Sequence, residues 1–187
     1  MCGICGFIEK SNPPKKQILE AMMAALVHRG PDQGKSWISD SAAFGFRRLA
    51  IIDPDGSVQP MVNETGDKVL VFNGEIYNYQ ELRLELLSAG HRFVSQGDSE
   101  VLLHGYEEWG DKLPERLRGM FAFAIWDERE QTLFAARDPF GIKPFYYTVS
   151  DGSFLFASEI KGILPHPAYE KRFDPEALEQ YLSFQYS

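Results

Sequence analysis

The sequence predicts an α+β fold in which antiparallel sheets stack face to face with helices outside. Three observations point to it. Strand-like runs at 119–126, 132–136, 145–149 and 153–157 follow one another across short loops. Such loops pair strands antiparallel, because a parallel pair needs a crossover of about a dozen residues or more. Several runs are apolar on both faces, as in Met120-Phe121-Ala122-Phe123-Ala124-Ile125-Trp126, so they must be covered from both sides. Helical periodicity in the rest of the chain supplies the covers.

Taken in order, residues 3–9 read as a short apolar strand. After Pro13-Pro14, the residues Ile18, Leu19, Met22, Met23 and Leu26 recur at helical spacing. They predict a helix that ends near the turn His28-Arg29-Gly30-Pro31-Asp32. Residues 69–73 are apolar on both faces and predict a buried strand. Asn78 is placed to cap a helix carrying Leu82, Leu86 and Leu87, with Gly90 as its stop signal. A further helix starts at Asp98 and carries Leu102, Tyr106 and Trp109. The stretch from Arg137 to Pro144 reads as a rigid turn, and Ser150-Asp151-Gly152 as a hairpin turn. Asp174-Pro175-Glu176 opens a last helix with a cap and a first-turn proline, followed by Leu178, Tyr181 and Leu182. That helix is still in its pattern at Ser187, as in a chain that continues.

Length and composition bound the function. A chain of 187 residues fits one domain burying roughly 70% of its unfolded surface. A net charge of −8 argues against a phosphate-backbone binder, which needs clustered lysine and arginine, so nucleic acid is not expected as a partner. No run of about 18 apolar residues occurs and no basic-then-apolar leader opens the chain, so no membrane partner is expected. Two cysteines without an export signal predict a cytoplasmic protein with free thiols.

The most telling residue is Cys2, which becomes amino-terminal once Met1 is removed. Its thiol supplies a nucleophile, and its own α-amino group, with a reference pKa of about 7.7–8, supplies the base. That pairing suits an acyl-transfer enzyme that cuts amide bonds. Against it stand a plain apolar strand residue and a redox reading, because Cys2-Gly3-Ile4-Cys5 is a C-x-x-C. A zinc site would need a second close pair of ligands, and no metal site is assigned. Asn73-Gly74, directly after the buried strand, reads as an oxyanion hole, worth about 3–4 kcal/mol per donor, or as an ordinary Asn-Gly turn. Arg48 can grip a carboxylate with two parallel hydrogen bonds, and Asp98 can hold an ammonium or cap its helix. His28, His91, His104 and His166 read as structural or surface residues, and no nucleotide-binding glycine motif occurs.

Six segments in order carry a resemblance over nearly the whole chain. They are Cys2-Gly3-Ile4, His28-Arg29-Gly30-Pro31-Asp32, Arg48 through Asp53, Phe72-Asn73-Gly74-Glu75-Ile76-Tyr77-Asn78, Gly97-Asp98-Ser99-Glu100, and Arg137-Asp138 through Tyr146-Tyr147. Together they resemble the class II glutamine amidotransferase domain, and most closely that of the glutamine-dependent asparagine synthetases. The resemblance implies a four-layer αββα sandwich of two antiparallel sheets, the N-terminal-nucleophile hydrolase fold. It implies Cys2 as nucleophile, Asn73 and Gly74 as oxyanion hole, Arg48 on the glutamine carboxylate and Asp98 on its amino group. Backbone at Leu49, Ala50, Ile51, Ile52 and Glu75 would line the pocket. The expected partners are L-glutamine and the chain's own C-terminal synthetase domain, with a homodimer as a compatible assembly. Residues 1–170 would be the glutaminase domain and 171–187 the start of a helical linker. No cofactor is expected within these residues; ATP and Mg belong to the synthetase domain. The alternatives are an amidotransferase with another acceptor and a non-catalytic amino-acid-binding module.

Overall fold

A computed structural model of the chain describes residues 1–10, 13–49, 58–172 and 174–185. Its strands are β1 (Gly3–Ile8), β2 (Gln33–Ile38), β3 (Ala42–Arg48), β4 (Met61–Val62), β5 (Lys68–Ile76), β6 (Gly119–Asp127), β7 (Thr132–Arg137), β8 (Tyr146–Ser150) and β9 (Ser153–Ala157). Its helices are α1 (Lys16–Ala24), α2 (Tyr79–Ser88), α3 (Asp98–Trp109), α4 (Leu113–Arg116), α5 (Ile160–Ile163) and α6 (Pro175–Phe184). One sheet runs β2-β3-β1-β9-β8 and the other β4-β5-β6-β7, every pair antiparallel.

Strand alternation explains the layering. Along β1, Ile4 and Ile8 face the other sheet, while Cys5 and Phe7 face α1. Along β5, Val69 and Val71 face the first sheet, while Leu70 and Phe72 face α2 and α3. Three apolar layers result. Leu19, Met22 and Leu26 seal α1 onto the first sheet; Phe44, Phe156 and Trp126 fill the space between sheets; Leu82, Leu86 and Leu102 seal the helices onto β5 and β6. Three such seams define the four layers αββα, as expected.

Local chemistry fixes the turns. Asp151 and Gly152 both take positive φ, 48° and 73°, which lets the β8–β9 hairpin close in two residues. Asp174 accepts hydrogen bonds from the amides of Glu176 (3.0 Å) and Ala177 (3.2 Å), capping α6 as its sequence predicts. Asp138 accepts from the amides of Phe121, Ile142 and Lys143, which makes the 137–144 turn rigid. Burial raises the Asp138 pKa, but those amides outweigh it and hold the carboxyl below its usual range.

The Asn78 expectation is corrected. Asn78 sits at the start of α2, yet its side chain makes no cap. Its amide donates to Arg116 O (3.0 Å) and its carbonyl accepts from Arg118 N (2.9 Å). The side chain therefore ties the β5–α2 corner to the segment entering β6.

Candidate active site

Cys2 lies one residue before β1 and packs against the layer between the sheets, on the same strand face as Ile4 and Ile8. Its thiol donates to Leu49 O at 3.9 Å. Its carbonyl accepts from Arg29 Nε at 3.0 Å, and Arg29 Nη1 in turn pairs with Glu159 at 2.9 Å. His28 Nε2 meets the same carboxylate at 2.9 Å. Burial pushes the Glu159 pKa up, but contacts with His28, Arg29 and Lys161 outweigh it and lower the pKa to about 2. The Cys2 backbone is thus held by a buried guanidinium anchored on an ionised glutamate.

Cys5 is a different residue in kind. Both cysteines are free, but Cys5 is fully buried toward α1, on the opposite face of β1 from Cys2. Burial pushes its thiol pKa up to about 12. Residues three apart on a strand point to opposite faces roughly 10 Å apart, too far for a disulfide. The C-x-x-C redox reading fails on this geometry.

Arg48 ends β3, paired one step beyond Gly3 and Arg47. It shares the inward face of Phe44 and Phe46 and is buried. Its carbonyl accepts from Asp32 N at 3.1 Å, which locks the 28–32 turn against the strand end. Leu49 follows it; the expected contacts at Ala50, Ile51 and Ile52 lie outside the described residues.

Asn73 and Gly74 are not a turn. β5 runs through both, pairing Asn73 with Ala122 and Gly74 with Phe121. Asn73 follows Val69 and Val71 on the inward face and is 3% exposed. Its side-chain amide nitrogen is buried without a hydrogen-bond partner among the described residues. A Cβ at Gly74 would stand 2.3 Å from Met120 O, so only glycine lets β5 approach β6 here. Glu75 is exposed.

Asp98 is the first residue of α3, and its Oδ2 accepts from Ile76 N at 3.0 Å. Burial raises its pKa; the Ile76 amide opposes this and the Glu75 charge adds to it. Sequence reasoning missed what holds it there. Gln59 Oε1 accepts from Phe72 N (2.6 Å) while Gln59 Nε2 donates to Ser99 (3.3 Å), binding α3 to β5. Glu100 accepts from the amides of Val94 (2.8 Å) and Ser95 (2.7 Å), shaping the loop that enters α3. A cavity of about 660 Å³ lies beside Ile8, Trp126, Phe145 and Phe154, at the far end of β1 from Cys2, and none of the candidate residues lines it.

The family described as glutamine amidotransferase domain matches residues 1–187. Asparagine synthetase [glutamine-hydrolyzing] 3 of Bacillus subtilis (strain 168) is 46% identical over 96% of this chain and 30% of its own length. Asparagine synthetase [glutamine-hydrolyzing] 1 of the same organism is 43% identical over 100% of the chain and 30% of its own length. The chain therefore spans about a third of these relatives. Glutamine phosphoribosylpyrophosphate amidotransferase from B. subtilis superposes with a TM-score of 0.70 at 21% identity, covering 86% of this chain and 42% of that one.

Proposed function

Because the chain belongs to the glutamine amidotransferase domain family, we propose that it hydrolyses L-glutamine to glutamate and ammonia at Cys2 once Met1 is removed. The thiol proton passes to the α-amino group as sulfur attacks the side-chain amide carbon. Negative charge develops on the amide oxygen, which Asn73 Nδ2 and the Gly74 N–H receive. The ammonium returns its proton to the departing nitrogen, ammonia leaves, and a thioester remains. Water, deprotonated by the same amine, cleaves it. Arg48 binds the glutamine carboxylate and Asp98 its amino group, with the Glu75 backbone lining the pocket. Leu49 O and the backbone of Ala50, Ile51 and Ile52 form the wall.

One observation carries this reading: the buried Asn73 amide has a donor to give and, among the described residues, no partner to give it to. A buried donor without a partner costs about 1–3 kcal/mol, which a bound oxyanion repays. Ammonia release from glutamine by the chain lacking Met1 is the test. Turnover that persists in Cys2→Ala would sink the mechanism.

In the longer protein, the ammonia amidates ATP-activated aspartate to asparagine in the cytoplasm, with ATP and Mg bound by the C-terminal domain. Residues 171–187 begin the linker to it. The α6 helix supports this: Leu178, Tyr181 and Leu182 are 42–73% exposed, an apolar surface on the helix. Asparagine formation by the longer protein, lost in Cys2→Ala with glutamine but retained with free ammonia, is the expected result.

A further inference from the structure

We propose that His91, His104 and Glu107 form a binding site for a divalent cation of the zinc class. His104 and Glu107 lie three residues apart on one face of α3, and His91 follows Gly90 at the end of α2. The three ligand atoms, one per residue, lie within 4.8 Å of one another. Glu107 Oε2 is 2.8 Å from His104 Nδ1 and 3.6 Å from His91 Nδ1. Zinc binds nitrogen and carboxylate oxygen at about 2.0–2.2 Å in a tetrahedron, which separates neighbouring ligands by roughly 3.3 Å. The two carboxylate–imidazole spacings bracket that value. Two imidazoles and a carboxylate are the donor set of a three-ligand zinc site, with the fourth position left to water or a mobile side chain. Glu64 fits that position: it is largely exposed, and its Oε2 is 4.0 Å from His104 Nδ1.

The outward atoms strengthen the case, because a metal site is recognised as much by what orients its ligands. His91 turns its Nε2 to Glu108 at 3.2 Å. His104 turns its Nε2 to Glu100 at 3.6 Å; among the described residues this buried nitrogen has no hydrogen-bond partner. Glu107 keeps its other oxygen on Asn63 Nδ2 at 2.7 Å. His91 thus has a hydrogen-bonded carboxylate behind it and the carboxylate ligand an amide, while the carboxylate near His104 lies beyond hydrogen-bond reach. Four glutamates, Glu64, Glu100, Glu107 and Glu108, surround two imidazoles, so the cluster favours added positive charge.

The proton is the competing occupant. Burial pulls the His104 pKa down, but the Glu107 hydrogen bond and the charges of Glu107, Glu64 and Glu100 outweigh it and raise the pKa. Burial pushes Glu107 up, but bonds from His104 and Asn63 outweigh it and lower its pKa, leaving the carboxylate a ligand needs. A bound cation would staple α3, the helix that begins at Asp98, to the end of α2 and the turn after β4. The site stands about 9–14 Å along the helix axis from Asp98.

The test uses the full chain with Cys2→Ala in every arm, so that the amino-terminal thiol does not compete. Zinc chloride is titrated by calorimetry and thermal melting, and cobalt(II) by visible absorption. One equivalent should bind, with the d–d bands of four-coordinate cobalt. The melting temperature should rise by about 5–10 °C at roughly 100 times Kd. His91→Gln and Glu107→Gln should each weaken binding at least tenfold and shrink the zinc-induced rise measured from each variant's own metal-free melt, since both side chains are largely buried, 15% and 18% exposed. No stoichiometric binding, or equal binding by parent and both variants, would overturn the proposal.

Discussion

The two sheets contribute to the candidate site in opposite ways. On the first, the Cys2 end is satisfied by the protein itself: Arg29 holds its carbonyl, Glu159 holds Arg29, and the thiol faces Leu49 O. On the second sheet and the helix against it, the polar groups are held less fully. Asn73 Nδ2 has no partner among the described residues, and Asp98, though it accepts from Ile76 N, is a carboxylate that burial makes reluctant to ionise. In the proposed function Cys2 is the nucleophile and must be held in place before substrate arrives, so its neighbours bond one another. On the same proposal, groups that receive substrate charge must stay available, so the fold carries their cost until glutamine binds.

That contrast can be broken by substitution. The largest effect falls on the receiving side: Asn73→Ala should lower kcat by about 10²–10³ through loss of an oxyanion donor. Its melting should stay within about 1 kcal/mol of the parent, because the donor removed had no partner. Steady-state kinetics beside a thermal melt would check both; a large stability loss with intact kcat would reverse the assignment.

Next comes Asp98→Asn. It should raise KM about 10–100-fold, about 1.4–2.8 kcal/mol, by removing the charge that meets the substrate ammonium. Stability should hold or rise, since a raised carboxylate pKa means the ionised form opposes folding. In the parent, kcat/KM should fall as pH drops through that raised pKa, above the usual aspartate value of about 3.9, and the variant should lose this limb.

The smallest catalytic effect belongs to the satisfied side. Glu159→Gln should cost about 1–2 kcal/mol of stability and only severalfold in kcat, as Arg29 loses its anchor. The Glu159 pKa is lowered from 4.5 to about 2, so its contribution is present above pH 4.5 and is lost as pH falls toward 2. Acid melts of parent and variant should converge across that window. A constant difference would remove Glu159 from the clamp.

Much of this was legible in the chain, and the exceptions have physical reasons. The strands between 119 and 157 announce themselves by doubly apolar runs and an Asp-Gly hairpin. β2 and β3 do not. β2 is an exposed edge of mixed residues, Gln33 through Ile38. β3 carries Gly45, which reads as a break but makes room for Met23, 2.5 Å from where its Cβ would stand. Cys2 is readable because amino-terminal chemistry needs no partner in the sequence. Asn73-Gly74 is ambiguous by sequence, and only the pairing with β6 removes the turn reading. Glu159, 130 residues from Arg29, could not be found by spacing. The same holds for His91 with His104, which only the packing of α2 on α3 brings to a ring separation of 5.0 Å.

The most direct test of the central claim is an intact mass spectrum after treatment with an alkylating glutamine analogue, run on parent and Cys2→Ala. Loss of Met1 with one adduct, mapped to Cys2 and absent from the variant, is the predicted result. Glutamine turnover by a folded protein that retains Met1, or an adduct carried anywhere but Cys2, would contradict it.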